Sequence, residues 1–224
     1  MISHKSSAPQ VGAEPVRRNG RKRVSVILDA AKVLFGTRGF DATTMSEIAI
    51  QSNTAAGSLY RFFPTKEAIG DAIVNRYGER FEIAFASLLE AAELLSAQQI
   101  ALIAADIMVE LEDDHAAAIS VADAGGVTTE QRQIQTQRVL NVIAQVIRRA
   151  FPIIAPSKVP VCAFTLMQLF KTVTIVSRSQ APQAKGAIGE MRSVIELYLQ
   201  SLGEAAGSEN GASRSPARPS GGSA

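Results

Sequence analysis

The chain has 224 residues, of which 46% are apolar and 20% charged, and a formal net charge of +2, as expected of a soluble globular protein with a sizeable core. Its single cysteine excludes an internal disulfide framework, and with only two histidines we expect neither a metal site nor a cofactor. Gln168 and Lys171 interrupt the longest apolar run and residues 1–20 lack a signal peptide's apolar centre, so we expect a cytoplasmic protein without membrane contact.

The first twenty residues contain two prolines, two glycines and no apolar period, which predicts a disordered arm over 1–20. Charge is uneven, because residues 1–66 hold ten Lys and Arg against four Asp and Glu, whereas the rest of the chain is acidic. A basic cluster precedes the first predicted helix: Arg17, Arg18, Arg21, Lys22 and Arg23. It is either a solvated arm that aids solubility or a contact with DNA phosphates or the minor groove, and its position favours the second.

The next segment predicts a helix with one apolar face, formed by Val24, Ile27, Leu28, Ala31, Leu34 and Phe35. Gly36 and Gly39 end it, and Gly39 is the better candidate for a left-handed cap. Phe40 is then placed to pack back onto the helix.

Residues 44–66, TMSEIAIQSNTAAGSLYRFFPTK, predict two short helices joined by a tight turn, the layout of a helix-turn-helix. Thr44 and Glu47 have the spacing of a capping box, and Asn53 falls where the turn needs a left-handed residue. The small core between the helices is expected from Ile48, Ala49 and Leu59. Pro64 ends the second helix, and Thr65 caps the next one.

The exposed face of the second helix is predicted to carry small residues, which let a helix lie deep in the major groove. Gly57 costs about 1 kcal/mol of helix propensity relative to alanine, and a close approach to a phosphate or another helix explains its presence. Tyr60 and Lys66 are placed to hold phosphates, together with helix-terminal amides near Thr44 and Thr65.

The stretch GSLYRFFPTKEAI resembles the signature of TetR-family transcriptional regulators, and GTRGFDATTMSEIA resembles the same family's junction between its first two helices. The resemblance covers about residues 21–80. It implies an all-helical protein with an N-terminal three-helix DNA-binding domain and a C-terminal domain that dimerises and binds a ligand. It also places the helix-turn-helix at about 43–62.

The chain departs from the family at two places in this segment. Many members have a glycine where this chain has Asn53, and a serine or threonine followed by lysine where it has Ala55 and Ala56. Thr54 is then the alternative helix cap. The candidate DNA contacts from the exposed face and the resemblance together are Thr43, Thr44, Thr54, Ala55, Ala56, Ser58, Tyr60, Arg61 and Lys66.

Beyond this segment the patterns predict further helices over about 67–96, 98–112, 128–150, 157–179 and 183–202, with a break at 124–126. The Gly/Ser/Ala/Pro-rich residues 204–224 are expected to form a flexible tail. The fold class is therefore all-α, with a DNA-binding domain over 21–80 and a helical dimerisation and ligand domain over 81–203.

The predicted helix over 157–179 is apolar on nearly all sides, so it needs cover on two faces, and a twofold-related copy can supply one of them. Asp106, Met108 and Gln168 are candidate ligand contacts, although a surface acid and gap-filling core residues are equally open interpretations. Asp113, Asp114 and His115 are interpreted as a helix end or loop rather than a metal site. No catalytic arrangement is recognisable, and we expect no enzyme activity.

These patterns favour a homodimeric repressor that binds a palindromic DNA operator and is released by a small-molecule effector of unknown identity. The alternative is a non-enzymatic architectural or adaptor protein that binds DNA without sequence preference. The effector, the operator and the regulated genes are not encoded in any motif of this chain.

Overall fold

The computed structural model describes residues 13–211 and the side chains of residues 19–204. Within this part the chain forms only helices, which confirms the all-α prediction. One short 3-10 helix, Ala92–Leu94, follows the fourth of the α-helices. In chain order these are α1 (Ala13–Arg38), α2 (Met45–Gln51), α3 (Ala56–Phe62), α4 (Lys66–Ala91), α5 (Ala97–Glu110), α6 (Glu112–Asp123), α7 (Thr129–Ala150), α8 (Val159–Ser177) and α9 (Ala184–Gly211).

Contacts divide the described chain into two units. The first contains the residues up to Val74 together with Ala117–Val127, and the second contains Asn75–Ala116 and the residues from Thr128 onward. The boundary therefore falls inside α4 at Val74, whereas the sequence placed it after residue 80. The segment Ala117–Val127 lies in the first unit, although it was assigned by sequence to the second domain.

The core of the first unit forms where the inner face of α1 meets α2, α3 and the start of α4. Gly39 ends α1 in the left-handed region, at φ +91°, and the Phe40 ring packs edge-on against Phe35 with ring centroids 5.0 Å apart. Both features confirm the sequence prediction for this junction. The buried side chains of this core include Ile27, Ala31, Leu34, Phe35, Ile48, Leu59, Phe63, Ile69 and Ile73.

Phe40 also contacts the end of α6 and the loop after it. The Phe40 amide donates a hydrogen bond to Ser120 Oγ at 2.8 Å. Gly70 and Gly126 both lie so close to their neighbours that a Cβ atom on either would approach Val121 or the Phe40 ring to within 3.0 Å. This close approach explains why glycine occupies both positions.

The second unit is a helical bundle with an apolar centre. Phe81 and Phe85 on α4 stack with ring centroids 4.3 Å apart, and Phe170 on α8 meets Phe85 at 6.0 Å. Among the described helices, α8 is the one that is long and apolar enough to cross a membrane by length and composition. Its inner face is buried against α5, α7 and α9, as expected for a core helix.

Two predictions about element boundaries were wrong, and one helix was not predicted. Helix α1 begins at Ala13, so residues 13–20 are helical; Pro15 falls in its first turn, where a missing amide has no cost. Helix α9 continues to Gly211, because extending an existing helix is easier than starting one. No helix was predicted over Glu112–Asp123, where the structure has α6; Asp113, Asp114 and His115 lie at its N-terminal end, and a helix end was one of the two interpretations offered for them. Residues 1–12 and 212–224, on which the rest of the disorder predictions fall, lie outside the described residues.

Candidate DNA-binding surface

Helix α2 begins with the capping box that the sequence predicted. The Glu47 amide donates to Thr44 Oγ1 at 3.2 Å, and the Thr44 amide donates to Glu47 Oε2 at 2.8 Å. Arg38 forms an exposed ion pair with the same carboxylate at 2.9 Å. The hydrogen bond from the Thr44 amide, then that from its hydroxyl, lowers the pKa of Glu47 below its ordinary value.

The turn between α2 and α3 confirms the role predicted for Asn53, which lies in the left-handed region at φ +45°. The Asn53 amide donates to the Ile50 carbonyl at 3.0 Å, and the Thr54 amide donates to the Ala49 carbonyl at 2.9 Å. This pair of hydrogen bonds is a Schellman motif, which satisfies the last carbonyls of α2 and fixes the direction of α3.

Helix α3 has one buried side and one exposed side, and the exposed side carries mainly small residues. Leu59 is fully buried in the core with Ile48, as predicted. A Cβ atom on Gly57 would have no neighbour within 4 Å, so the middle of the outer side is open. Ser58 is half-buried, and the exposed residues of the helix and its cap are Ala55, Ala56, Gly57, Tyr60 and Arg61.

Two of the predicted DNA contacts have buried side chains that bond within the first unit. Thr43 is 1% exposed and its hydroxyl donates to the Gly39 carbonyl at 2.8 Å. Thr54 is 6% exposed and its hydroxyl donates to the Ser52 carbonyl at 3.2 Å. Thr54 is not the cap of α3, because that position is held by Ala55, which makes no side-chain capping bond.

Lys66 has a structural role in the first unit. Its Nζ donates to the backbone carbonyls of Phe40, Asp41 and Thr43, at 2.8, 3.4 and 3.1 Å. The same ammonium lies 4.4 Å from the centroid of the Phe40 ring. These carbonyls engage the donors of the ammonium within the protein, and the phosphate contact of Lys66 stays a prediction.

Thr44, Tyr60 and Arg61 remain at the surface of the first unit. Tyr60 is 52% exposed and lies in the last turn of α3. The Arg61 guanidinium lies over the Phe62 ring, 5.2 Å from its centroid, with its side chain exposed. An exposed small-residue face bordered by a phenol and a guanidinium offers hydrogen-bond donors to phosphates and base edges.

The three predicted ligand contacts do not meet around a cavity. Asp106 is exposed on α5 and pairs with Arg192 on α9. Gln168 is exposed on α8, whereas Met108 is buried in the core. The sequence could not separate these environments, because all three residues lie on helices that are apolar overall.

A small apolar cavity of about 10 Å³, room for about one water molecule, lies among the helices of the second unit. It is lined by residues of five helices and by Phe151, which follows α7. The lining consists of Phe85, Leu88, Ile100, Ala104, Ile143, Val146, Ile147, Phe151, Leu166, Phe170 and Leu199. Cavities with an apolar lining stay dry.

The acidic start of α6 is held by partners on other helices of the second unit. Asp114 pairs with Arg80 at 2.8 Å, and Asp113 pairs with Arg178. His115 is buried, and its Nδ1 lies 2.7 Å from Thr174 Oγ1. Burial, reinforced by the positive charge of Lys171, lowers the pKa of His115 to about 4. In the described part of the chain no His, Cys, Asp and Glu side chains cluster as a metal site would require.

Comparison with known sequences places the first unit in a family. The sequence model described as "Bacterial regulatory proteins, tetR family" matches residues 27–73. The transcriptional repressor KstR of Mycolicibacterium smegmatis is 36% identical over 76 residues, 34% of this chain and 34% of the relative. The repressor KstR2 of Rhodococcus jostii is 38% identical over 60 residues, 27% of this chain and 28% of the relative. The chain thus spans about a third of the length of these curated relatives.

Solved structures share the fold over most of the chain. A regulator of the tetR family from Rhodococcus RHA1 is 20% identical, with a TM-score of 0.58, and the match covers 81% of this chain and 97% of that one. PfmR, a TetR-family regulator from Thermus thermophilus, is 18% identical with a TM-score of 0.61, covering 78% and 97%. Salmonella enterica GusR is 17% identical with a TM-score of 0.60, covering 82% and 96%. Residues 27–73 therefore match the sequence model of the tetR family of bacterial regulatory proteins, and the chain shares its fold with solved TetR-family regulators.

Proposed function

We propose that the protein is a homodimeric transcriptional repressor that binds a palindromic DNA operator and releases it when an apolar small molecule binds the second unit. The observation that carries the proposal is the outer side of α3, where Ala55, Ala56 and Gly57 leave the helix smooth enough to enter a major groove. Ser58, Tyr60 and Arg61 border that surface with polar donors. Two relatives of the first unit are named as repressors, which supports repression over activation.

The homodimer is supported by an exposed stripe on α8. Val161, Phe164, Gln168, Thr172 and Ile175 follow one another at helical spacing, and all are exposed although the helix is strongly apolar. Val194 and Leu197 on α9 are exposed as well. A second copy of the chain covers such a surface with an isologous contact, and a twofold dimer presents two copies of α3 to a palindromic operator.

The response to an effector is supported by the small apolar cavity of the second unit. Its present size holds no more than about one water molecule, so a larger apolar ligand must bind a form in which the surrounding helices stand further apart. Such a ligand lowers operator affinity only if it binds the DNA-incompetent form more tightly than the other. The proposal places the protein in the cytoplasm, where its DNA is.

Selection from a pool of random duplexes with the wild-type protein tests the proposal. We expect enrichment of an inverted repeat whose half-sites lie about one helical turn apart, bound by a dimer. Equal binding of the starting pool and the selected pool, with steep loss of affinity in salt, would instead fit an architectural protein with nonspecific DNA binding.

A further inference from the structure

The N-terminal half of α1 extends the first unit beyond its core and carries three consecutive cationic residues, Arg21, Lys22 and Arg23. All three side chains are exposed. Within residues 19–204 none of them forms an ion pair or a side-chain hydrogen bond, so their charges are not neutralised by the fold. Unpaired cations on a rigid helix are suited to a polyanionic partner.

The position of this helical segment is set by Phe62 at the end of α3. A Cβ atom on Gly20 would lie 4.0 Å from Cε1 of the Phe62 ring, so the α1 backbone lies beside that ring. Arg61 lies over the same ring, 5.2 Å from its centroid. Phe62 therefore brings the basic turns of α1 next to the end of the helix that we assign to the major groove.

Helical spacing separates the three cations by direction. Gly20 and Val24, both half-buried, mark the side of α1 that faces the rest of the first unit. Arg23 lies three residues after Gly20, and Arg21 lies three residues before Val24, so the arginines flank that side. Lys22 lies two residues from both Gly20 and Val24, so it points away from the side that faces the first unit.

We propose that Arg21 and Arg23 form a second DNA-contacting surface, which binds backbone phosphates beside the base pairs that α3 reads. The inference rests on the proposed function, because it presupposes that α3 enters the major groove. Contacts to phosphates add affinity and fix orientation without carrying sequence information. The surface therefore strengthens binding to every duplex and leaves the choice of operator to α3.

The salt dependence of DNA binding measures this contribution directly. Each phosphate contact adds about 0.9 to the slope of log K against log salt, which is about a 3.5-fold change in affinity between about 50 and 200 mM salt. The proteins compared are the wild type, the double variant Arg21→Ala/Arg23→Ala, its charge-preserving counterpart Arg21→Lys/Arg23→Lys, and Lys22→Ala as the control on the opposite side. The DNA probes are a duplex selected by the wild type and a random duplex of equal length. Fluorescence anisotropy measures the affinity of each protein for each probe.

We expect the double alanine variant to lose about 0.9 of slope for each phosphate released on both duplexes, with its ratio of affinities for the two duplexes unchanged. The lysine pair restores the slope, and Lys22→Ala keeps it. An unchanged slope in the double alanine variant overturns the inference, and so does an equal loss per removed charge in Lys22→Ala. Circular dichroism melting verifies that these exposed substitutions leave the fold intact.

Failure of the proposed function has a different signature. If the wild type binds the selected and random duplexes equally, sequence-specific regulation is wrong. The slopes measured on the random duplex still decide whether the two arginines contact phosphates.

Discussion

Residues with similar side chains have opposite roles in the first unit, and burial decides which role each one has. Thr44 is exposed at the start of α2, whereas Thr43 beside it is buried and bonded to the Gly39 carbonyl. Lys66 is the strongest example, since its ammonium holds together the backbone between α1 and α2. A cation near a DNA-binding surface is therefore not necessarily a ligand of DNA.

Lys66→Ala should lower the free energy of unfolding by about 2 kcal/mol, because hydrogen bonds to a charged donor are lost from a partly buried site. Urea denaturation measures the change, and Lys22→Ala, which removes an exposed lysine of the same unit, is the matched control with little effect. If this structural role is its only one, operator affinity of Lys66→Ala, measured where the variant is fully folded, stays close to that of the wild type. A large loss of affinity with unchanged stability would show that Lys66 is a phosphate ligand.

The lowered pKa of His115 predicts that the stability of the second unit depends on pH. Its hydrogen-bond partner Thr174 donates to the Lys171 carbonyl at 2.8 Å, so the Thr174 oxygen accepts from Nδ1–H. Tyr77 packs against the imidazole ring at 5.6 Å, Asp114 precedes it, and the charge of Lys171 opposes its protonation. The pKa of His115 falls from 6.5 to about 4 on folding. Between pH 6.5 and pH 4 the unfolded chain therefore binds a proton that the folded chain does not.

The contribution of His115 is thus fully present above pH 6.5 and is lost as the pH falls towards 4. Between about pH 7 and pH 5 the wild type should lose about 2 kcal/mol more stability than His115→Gln, which cannot titrate. Urea denaturation at the two pH values makes the comparison. Parallel losses in the two proteins would show that His115 is not the titrating group.

At the scale of elements, the sequence predicted those helix ends and turns that depend on interactions between neighbouring residues. The capping box of α2, the left-handed Asn53, the glycine that ends α1 and the buried Leu59 each depend on neighbours a few residues away. Helix α6 itself was not predicted, because adjacent acids and a histidine are as compatible with a loop as with a first helical turn. Their ion pairs with α4 and α8 involve residues far away in the sequence.

The exposed stripe of α8 gives a prediction at this scale. Ile175 on α8 and Ile83 on α4 are both largely exposed, at 66% and 75%, but only Ile175 belongs to the proposed dimer face. Ile175→Glu should convert the protein to a monomer, because a charge would be buried between the copies, whereas Ile83→Glu should stay dimeric. Sedimentation velocity distinguishes the two, and a dimer that survives Ile175→Glu would place the interface elsewhere.

At the scale of the whole molecule, the division into two units was predicted from sequence only in outline. The segment Ala117–Val127 joins the first unit through Ser120, Val121 and Gly126, which contact Phe40 and Gly70. No pattern in the sequence links residues about eighty positions apart, so this support of the DNA-binding unit was missed. The residues that line the cavity of the second unit could not be predicted for the same reason, since five helices contribute to it.

The central claim is that the outer side of α3 enters the major groove, and Gly57→Ala tests it most directly. The added methyl group meets no atom of the protein, so it should raise stability by about 0.5 kcal/mol while filling the space through which DNA approaches. Gly186→Ala on α9, where a Cβ atom is equally unobstructed, is the matched control. Anisotropy titration of the selected duplex should show at least a tenfold loss of affinity, about 1.4 kcal/mol, for Gly57→Ala alone. Equal affinity of the wild type and both variants would contradict the claim.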